Sequence, residues 1–169
     1  MMKTIAEANQ DIAFGLSNNL ARLLREFSRD FERRIYSELL LRGYTEIRAS
    51  HIAVFANLGL GAVRITELAE RARVTQQAMG KMLKEIERLG YVSRDVDSGD
   101  KRAREIRLTV RGMQLALDSL EAHRKVYAYY AGKIGQEPLQ QLEDSLREAV
   151  SKLELDYLPE SWTATSSAP

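Results

Sequence analysis

The sequence predicts a mostly α-helical fold with a small β-wing, on three observations. Near both ends of the chain, apolar residues recur every three or four positions over long stretches, which is typical of long helices. Between these stretches, an amphipathic helix that ends at Gly90 is followed at once by two short strands around a polar turn. Glycine and hydroxyl residues divide the rest of the middle into short helices. Together these features predict a winged helix-turn-helix flanked by long N- and C-terminal dimerisation helices.

The composition of the 169 residues excludes several classes of protein. The absence of cysteine excludes disulfides, thiolate metal sites and thiol redox switches. With only His51 and His123 as imidazole ligands, we expect neither a metal site nor a cofactor. No apolar run reaches the roughly 18 residues of a membrane span, and the N-terminus lacks the apolar core of a signal peptide, so we expect a cytoplasmic protein with no membrane partner. No phosphate loop or Gly-x-Ser-x-Gly motif occurs, so we expect no enzyme.

The N-terminal region, residues 1–47, is predicted to be a dimerisation helix. A single helix is expected over residues 11–42, with Gly43 as its end. Its apolar stripe is long for a small domain, which favours packing against a helix of similar length, possibly in a second subunit. The stripe consists of Ile12, Leu16, Leu20, Leu23, Phe27, Phe31, Ile35 and Leu39.

The middle region, residues 48–111, is predicted to form the winged helix-turn-helix. A helix is expected over residues 49–58, followed by a short helix with Thr66 as its N-cap. Thr75 is the predicted N-cap of the next helix, which ends at Gly90. The strands are expected over residues 91–96 and 105–109. The buried face of the helix before the strands is expected to contain Met79, Met82, Leu83 and Ile86.

The C-terminal region, residues 112–158, is predicted to supply two further dimerisation helices, and residues 159–169 a disordered tail. Gly135 and Pro138 separate the two helices. The first apolar stripe consists of Val110, Met113, Leu117, Leu120, Tyr127, Tyr130 and Ile134. The second consists of Leu139, Leu142, Leu146, Val150, Leu153 and Tyr157.

The charge is unevenly distributed although the net charge is only +1. Residues 48–111 contain 13 Lys and Arg against 8 Asp and Glu, whereas residues 112–169 contain 5 against 9. A local positive excess favours contact with phosphate, although ordinary variation in surface charge explains it as well.

The helix that ends at Gly90 carries side chains suited to reading DNA. Gln77 can form a bidentate hydrogen bond with adenine, and Lys81 can reach guanine or phosphate. Gly80 destabilises a helix interior by roughly 1 kcal/mol relative to alanine. Two explanations remain open for this glycine: close approach of the helix to DNA, or close packing against another helix.

The turn between the two strands is polar and basic. Arg102 or Arg104 is placed to enter a minor groove, and Lys101 adds a further positive charge. Phosphate would repel Asp100, so we expect this carboxylate to hold a wing arginine in place. A solvated turn is the alternative, but the position directly after a DNA-reading helix favours the wing.

Residues 65–112 resemble the MarR family of bacterial transcription regulators. The resemblance rests on Glu67-Leu68-Ala69, on Glu87 with Gly90-Tyr91-Val92, on Arg94, on Asp100-x-Arg102, and on Leu108-Thr109 with Gly112. It implies a two-fold dimer in which the helix and wing hold operator DNA. The family often has a hydroxyl residue and an arginine where this chain has Gly80 and Lys81. The expected DNA-binding residues are Thr75, Gln76, Gln77, Gly80, Lys81, Lys84, Asp100, Lys101, Arg102 and Arg104.

Many members of that family release DNA when a small aromatic or anionic molecule binds between the dimerisation helices and the winged domain. In this chain such an effector crevice is expected to contain Tyr36, Arg48, His51, Phe55 and Tyr127. Arg48 and His51 lie three residues apart on one helical face and are placed to receive a carboxylate. In the alternative, Arg48 caps nearby carbonyls and His51 is a satisfied interface residue.

The sequence therefore predicts a homodimeric regulator, most simply a repressor, that binds a palindromic operator in double-stranded DNA. Two copies are expected because one recognition helix reads only a few base pairs, whereas a pair about 34 Å apart reads successive major-groove faces. The competing hypothesis is a winged-helix module that binds another protein and no DNA.

Overall fold

The structure, a computed structural model, describes residues 5–96 and 104–155. Seven helices and three short strands follow one another along these ranges. They are α1 (Ile5–Ser17), α2 (Leu20–Leu41), α3 (Ala49–Leu58), β1 (Val63–Arg64), α4 (Ile65–Arg71), α5 (Gln76–Arg88), β2 (Val92–Val96), β3 (Arg104–Leu108), α6 (Val110–Ile134) and α7 (Gln136–Lys152). The predicted fold class, mostly helical with a small β-wing, is confirmed.

The three strands form an antiparallel sheet in the order β1-β3-β2. In this sheet Ile106 of β3 lies between Val63 of β1 and Arg94 of β2. Because alternate residues of a strand face opposite sides, the buried side chain of Ile106 turns one face of the wing base toward the core. The β2–β3 hairpin thereby leaves the body of the protein directly beside α5.

The core of the middle region lies between the short helices and this sheet. Leu68 of α4 and Met79, Leu83 and Ile86 of α5 are completely buried. Full burial of each such side chain contributes about 1.5–3 kcal/mol. The spacing along α5 places them on one face, as predicted, and Met82 is half-buried at the edge of that face.

The N-terminal stripe does not form one helix, as the periodicity predicted, but two. Asn19 adopts an extended conformation, and its Oδ1 accepts a 2.9 Å hydrogen bond from the backbone N–H of Arg22. Its Nδ2 donates to the carbonyls of Gly15 and Leu16 in the preceding helix. The prediction was wrong here because an asparagine side chain that satisfies backbone groups of both helix ends competes with helix continuation.

The predicted N-cap at Thr66 is also wrong. Helix α4 begins at Ile65 and has Arg64 as its N-cap, so Thr66 lies within the first turn. The strand β1 ends at Arg64 and delivers the chain directly into the helix. A strand of two residues is too short to produce an alternating pattern, so it could not be predicted.

Helix α6 has two apolar faces rather than one. Of the predicted stripe, Val110, Met113, Leu117, Leu120 and Ile134 are exposed in the single chain. The face packed inside the chain contains Gly112, Leu115, Ala122, Val126 and Tyr130, and of these only Tyr130 belongs to the predicted stripe. At 100° per residue the two faces lie on nearly opposite sides of α6. One therefore supplies the core of the chain, and the other is left for solvent or a second molecule.

Candidate DNA-binding surface

Helices α4 and α5 form a helix-turn-helix whose turn is fixed by local chemistry. Arg73 has a positive φ of 53°, a conformation that reverses the chain between the two helices. Thr75 then caps α5, as predicted, because its Oγ1 accepts a 3.1 Å hydrogen bond from the backbone N–H of Ala78. The first turn of α5 is thus anchored at the point where base-reading side chains begin.

The predicted reading residues of α5 are all exposed to solvent. Gln77, Lys81 and Lys84 lie opposite the buried side chains of the helix, whereas Gln76 lies in the first turn on the side of Leu83. Two amides and two ammonium groups are therefore free to meet base edges and phosphates without disturbing the core.

Gly80 is half-buried and has room for a side chain. An added Cβ would meet only Cδ1 of Ile65, at the ordinary van der Waals distance of 3.7 Å. Close packing against another helix of this chain therefore does not explain the glycine. Close approach to DNA remains the explanation that we carry forward as a proposal.

The wing is described only at its base. Asp100, Lys101 and Arg102 lie outside the described residues, and Arg104 is described only as the first residue of β3. Arg94 of β2 lies beside α5, with its Nε 2.9 Å from Oε2 of Glu87, an ion-pair distance without hydrogen-bond alignment. This pair joins the wing base to the reading helix and gives Glu87 and Arg94 a structural role.

Arg73 is a candidate contact that the sequence analysis missed. It is exposed and lies two residues before the cap of α5. Positive charge at a helix N-terminus, where backbone N–H groups are also free, favours an anion such as a DNA phosphate. The signal in the sequence that could have identified it is an arginine close to the predicted cap, Thr75.

Arg48 and His51, expected to receive an effector carboxylate, already hold a carboxylate of the chain. Oε1 of Glu85 on α5 lies 2.9 Å from Nη2 of Arg48, and Oε2 lies 3.1 Å from Nε2 of His51. Nδ1 of His51 accepts from the backbone N–H of Arg48 at 3.2 Å, so we assign the hydrogen to Nε2, which donates to Glu85. These bonds hold the pKa of Glu85 below its usual value, His51 contributing most.

The other expected effector residues lie apart. The hydroxyl of Tyr36 donates to the carbonyl of Ile47 at 2.9 Å, and the ring of Phe55 meets Tyr91 edge-on at 6.0 Å. Tyr127 instead lines a cleft of about 530 Å³ between α2, α6 and α7, together with Phe27 and Phe31. None of the other four expected residues lines that cleft.

A second polar cluster connects the end of α5 with α6. The hydroxyl of Tyr91 donates to Oε1 of Glu46, which Arg111 of α6 also contacts. The same arginine donates a 2.7 Å bond to the carbonyl of Leu89, and its guanidinium lies 4.4 Å from the centre of the Tyr91 ring. Burial raises the pKa of Tyr91 to about 12, with a further contribution from Glu46.

Within residues 5–96 and 104–155, no three metal-ligating side chains come together as a possible ion site. The helices of these two ranges are all too short or too polar to cross a membrane.

Comparison with known proteins agrees with this geometry. Residues 47–103, which contain α3, the helix-turn-helix and β2, match the model of the MarR family. Over this stretch the chain is similar to the MarR family. The fold of MarR proteins is that of DNA-binding transcription regulators. In this chain, the helix α5 of that fold has one side exposed to solvent.

Two solved structures show how far the MarR fold extends. Wild-type MarR of Escherichia coli is 19% identical, with a TM-score of 0.65, over 78% of this chain and 96% of its own. YusO of Bacillus subtilis is 18% identical, with a TM-score of 0.58, over 88% of this chain and 99% of its own. The likeness therefore includes the long terminal helices as well as the winged region.

A curated relative in sequence is ExpG of Rhizobium meliloti, a transcriptional activator of exopolysaccharide II synthesis. It is 29% identical over 96 residues, which are 57% of this chain and 50% of ExpG. The chain thus spans about half the length of that relative.

Proposed function

We propose that this chain, which is similar to the MarR family over residues 47–103, is a homodimeric, sequence-specific regulator that binds double-stranded DNA and catalyses no reaction. The observation that carries the proposal is the division of α5 into a completely buried face and an exposed face with Gln77, Lys81 and Lys84. Glutamine reads base edges and lysine binds phosphate or guanine, so one helix supplies both specificity and affinity.

The proposed dimer follows from the apolar surface that the single chain leaves exposed. Leu16 and Leu23 near the N-terminus and Leu117 and Leu120 of α6 are each about half exposed or more. An extended apolar surface on a water-soluble domain marks an interaction site. Pairing of two copies through these helices would cover it and present two α5 helices to a palindromic operator.

Selection from a random pool of DNA duplexes tests the proposal. The full-length chain should enrich a two-fold symmetric sequence, and its affinity for that duplex should fall steeply as salt rises, because phosphate contacts release counterions. The matched control is the double variant Gln77→Ala with Lys84→Ala, which should enrich the sequence less strongly and lose the preference at one base pair. Failure of the wild type to enrich any duplex, together with salt-independent binding, would overturn the proposal.

We further propose that the bound dimer represses transcription. Because ExpG, the relative in sequence, is an activator, the reporter assay must be able to detect both a decrease and an increase in expression. With the selected operator placed over a promoter, expression of the chain should lower the reporter signal. A rise in the signal would overturn repression while leaving DNA binding intact.

The proposed effector is a small aromatic molecule, neutral or anionic. The cleft beside Tyr127 is apolar and, at about 530 Å³, has the size of a small-molecule site. Calorimetry with benzoate and benzyl alcohol, with Tyr127→Ala as the matched variant, tests it. Binding of either probe should disappear in Tyr127→Ala and should lower operator affinity in the wild type. Absence of binding to the wild type would remove this site.

A further inference from the structure

The contact between α3 and α5 contains three polar side chains that act together. Both oxygens of the Glu85 carboxylate are engaged, since Arg48 contacts one at 2.9 Å and the other at 3.2 Å. His51 contacts the second oxygen at 3.1 Å. We call this set, Arg48, His51 and Glu85, the Glu85 clamp.

The clamp holds the proposed reading helix near its C-terminal end. Glu85 directly follows Lys84 on α5, and it lies one helical turn after Lys81. A carboxylate held from two directions limits rotation of α5 about its own axis, because a forked arginine contact fixes orientation as well as distance. Rotation of α5 would move both lysines and Gln77 relative to a DNA groove.

His51 is suited to be the fixed point of the clamp. The imidazole of His51 is buried, with only 1% of the residue exposed. Its two ring nitrogens are both used, one accepting from the backbone N–H of Arg48 and the other facing Glu85. The ring is therefore held by α3 and cannot turn without leaving a buried polar atom unsatisfied.

The clamp is also joined to the long helices. The hydroxyl of Tyr36 on α2 donates to the carbonyl of Ile47, the residue directly before Arg48. Three successive hydrogen bonds thus lead from α2 through the start of α3 to α5. The orientation of α5 is in this way linked to α2, one of the helices that we propose form the dimer interface.

We propose that Arg48 and His51 are positioning residues that set the orientation of the reading helix through Glu85, and so determine DNA specificity without touching DNA. The proposal rests on the proposed function. It predicts that opening the clamp lowers affinity for the selected operator while leaving the sequence-independent attraction of the lysines to phosphate.

The test compares four full-length variants on two probes, the duplex selected by the wild type and a scrambled duplex of equal composition. Glu85→Gln weakens the clamp, because it replaces one acceptor oxygen by an NH2 group that cannot accept from Arg48 or His51. His51→Asn opens the clamp, because the asparagine keeps an acceptor for the Arg48 N–H but is too short to reach Glu85. His51→Gln restores a donor toward Glu85. Glu38→Gln is the matched control, since it removes the same charge from an ion pair 2.7 Å from Lys125, between α2 and α6.

The ratio of operator affinity to scrambled-duplex affinity should fall about tenfold in Glu85→Gln and His51→Asn, and should stay within about twofold in His51→Gln and Glu38→Gln. Charge alone predicts otherwise, because removing the negative charge of Glu85 strengthens binding to both duplexes. An unchanged ratio in Glu85→Gln overturns the proposal, as does an equal fall in His51→Gln and His51→Asn, which would indicate packing alone.

Amide hydrogen exchange separates this proposal from the proposed function. If the wild type selects no duplex, the proposed function is refuted. The effect of the Glu85 clamp on α5 can still be tested by the exchange rates of the amides in that helix. Exchange there should be faster in Glu85→Gln than in the wild type and unchanged in Glu38→Gln, since a released helix opens more often. Equal exchange in all three proteins overturns the clamp.

Discussion

The hydroxyl of Tyr91 lies 2.7 Å from Oε1 of Glu46 and donates a hydrogen bond to it, which joins the end of α5 to the segment between α2 and α3. The ring of Tyr91 is completely buried, and Glu46 is partly exposed and also paired with Arg111. The donor of this bond is therefore shielded from water, whereas its acceptor, Glu46, is also paired with Arg111. Removal of the Tyr91 hydroxyl eliminates the hydrogen bond and leaves the ion pair between Glu46 and Arg111 in place.

Tyr91→Phe is expected to lower the free energy of unfolding by about 1–2 kcal/mol, because it removes one hydrogen bond to a charged group and leaves the ring in place. Urea unfolding at fixed protein concentration measures it. Tyr129→Phe is the matched control, because Tyr129 is exposed and should tolerate the same change. A loss as large in the control would contradict the role of the Glu46 bond.

Gly80→Ala is expected to stabilise the protein and weaken DNA binding. Alanine in a helix interior is favoured by about 1 kcal/mol over glycine, and the open space around Gly80 leaves this gain intact. The added methyl group should hinder close approach to DNA. Thermal unfolding and operator affinity measure the two effects, with Gly132→Ala on α6 as the control that should gain stability alone. Unchanged operator affinity in Gly80→Ala would remove the close-approach explanation.

Gln77→Ala and Lys84→Ala should weaken DNA binding in different ways. Loss of the glutamine should cost about 1–3 kcal/mol on the operator and relax the preference at one base pair. Loss of the lysine should weaken binding to all duplexes and reduce the salt slope by about 1. Fluorescence anisotropy over a salt series measures both. Equal losses on operator and scrambled DNA for Gln77→Ala would refute its base-reading role.

Leu117→Glu is expected to separate the proposed dimer. The side chain is 54% exposed in the single chain, so the substitution affects packing within the chain far less than it affects an interface that buries the residue. Burial of a carboxylate in an apolar interface is strongly unfavourable. Analytical ultracentrifugation should therefore show a monomer for Leu117→Glu and a dimer for the wild type. Tyr129→Glu, a second exposed position on α6, tests whether any charge on this helix has the same effect, and a dimer in both variants would place the interface elsewhere.

Asp30 should make the protein sensitive to acid. A hydrogen bond from Tyr130, followed by those from Arg33 and Arg34, holds the pKa of Asp30 below its ordinary value of 3.8. A carboxyl whose pKa is lower in the folded state stabilises the fold above the unfolded value, and this stabilisation is lost as the pH falls below 3.8. Asp30→Asn should therefore be less stable at neutral pH, and its free energy of unfolding in urea should fall less steeply below pH 3.8 than that of the wild type. An equally steep fall in both proteins would contradict this.

The sequence predicted the elements that have strong local signals. Helix α3 has the expected bounds, and Thr75 caps α5 as expected, because a hydroxyl residue before an apolar periodicity acts within a few residues of itself. The exposed reading face followed from the same periodicity. The break at Asn19 was missed because the apolar stripe continues across it, and periodicity outweighed a single capping residue.

The polar contacts of the site could not be predicted in the same way. Arg48 and His51 were expected to receive the carboxylate of an effector, or in the alternative to be satisfied without a ligand. The carboxylate that they contact belongs to Glu85, more than thirty residues away in sequence. No local pattern distinguishes a carboxylate brought by the chain from one brought by a ligand. The second apolar face of α6 was missed for a related reason, since two faces on one helix blur the periodicity of each.

The amide of Asn19 serves two helices at once, accepting from the first turn of α2 and donating to the last turn of α1. Fraying at either end therefore removes a bond from the other. On heating, the last turn of α1 and the first turn of α2 should melt as one cooperative step, and Asn19→Ala should divide that step into two.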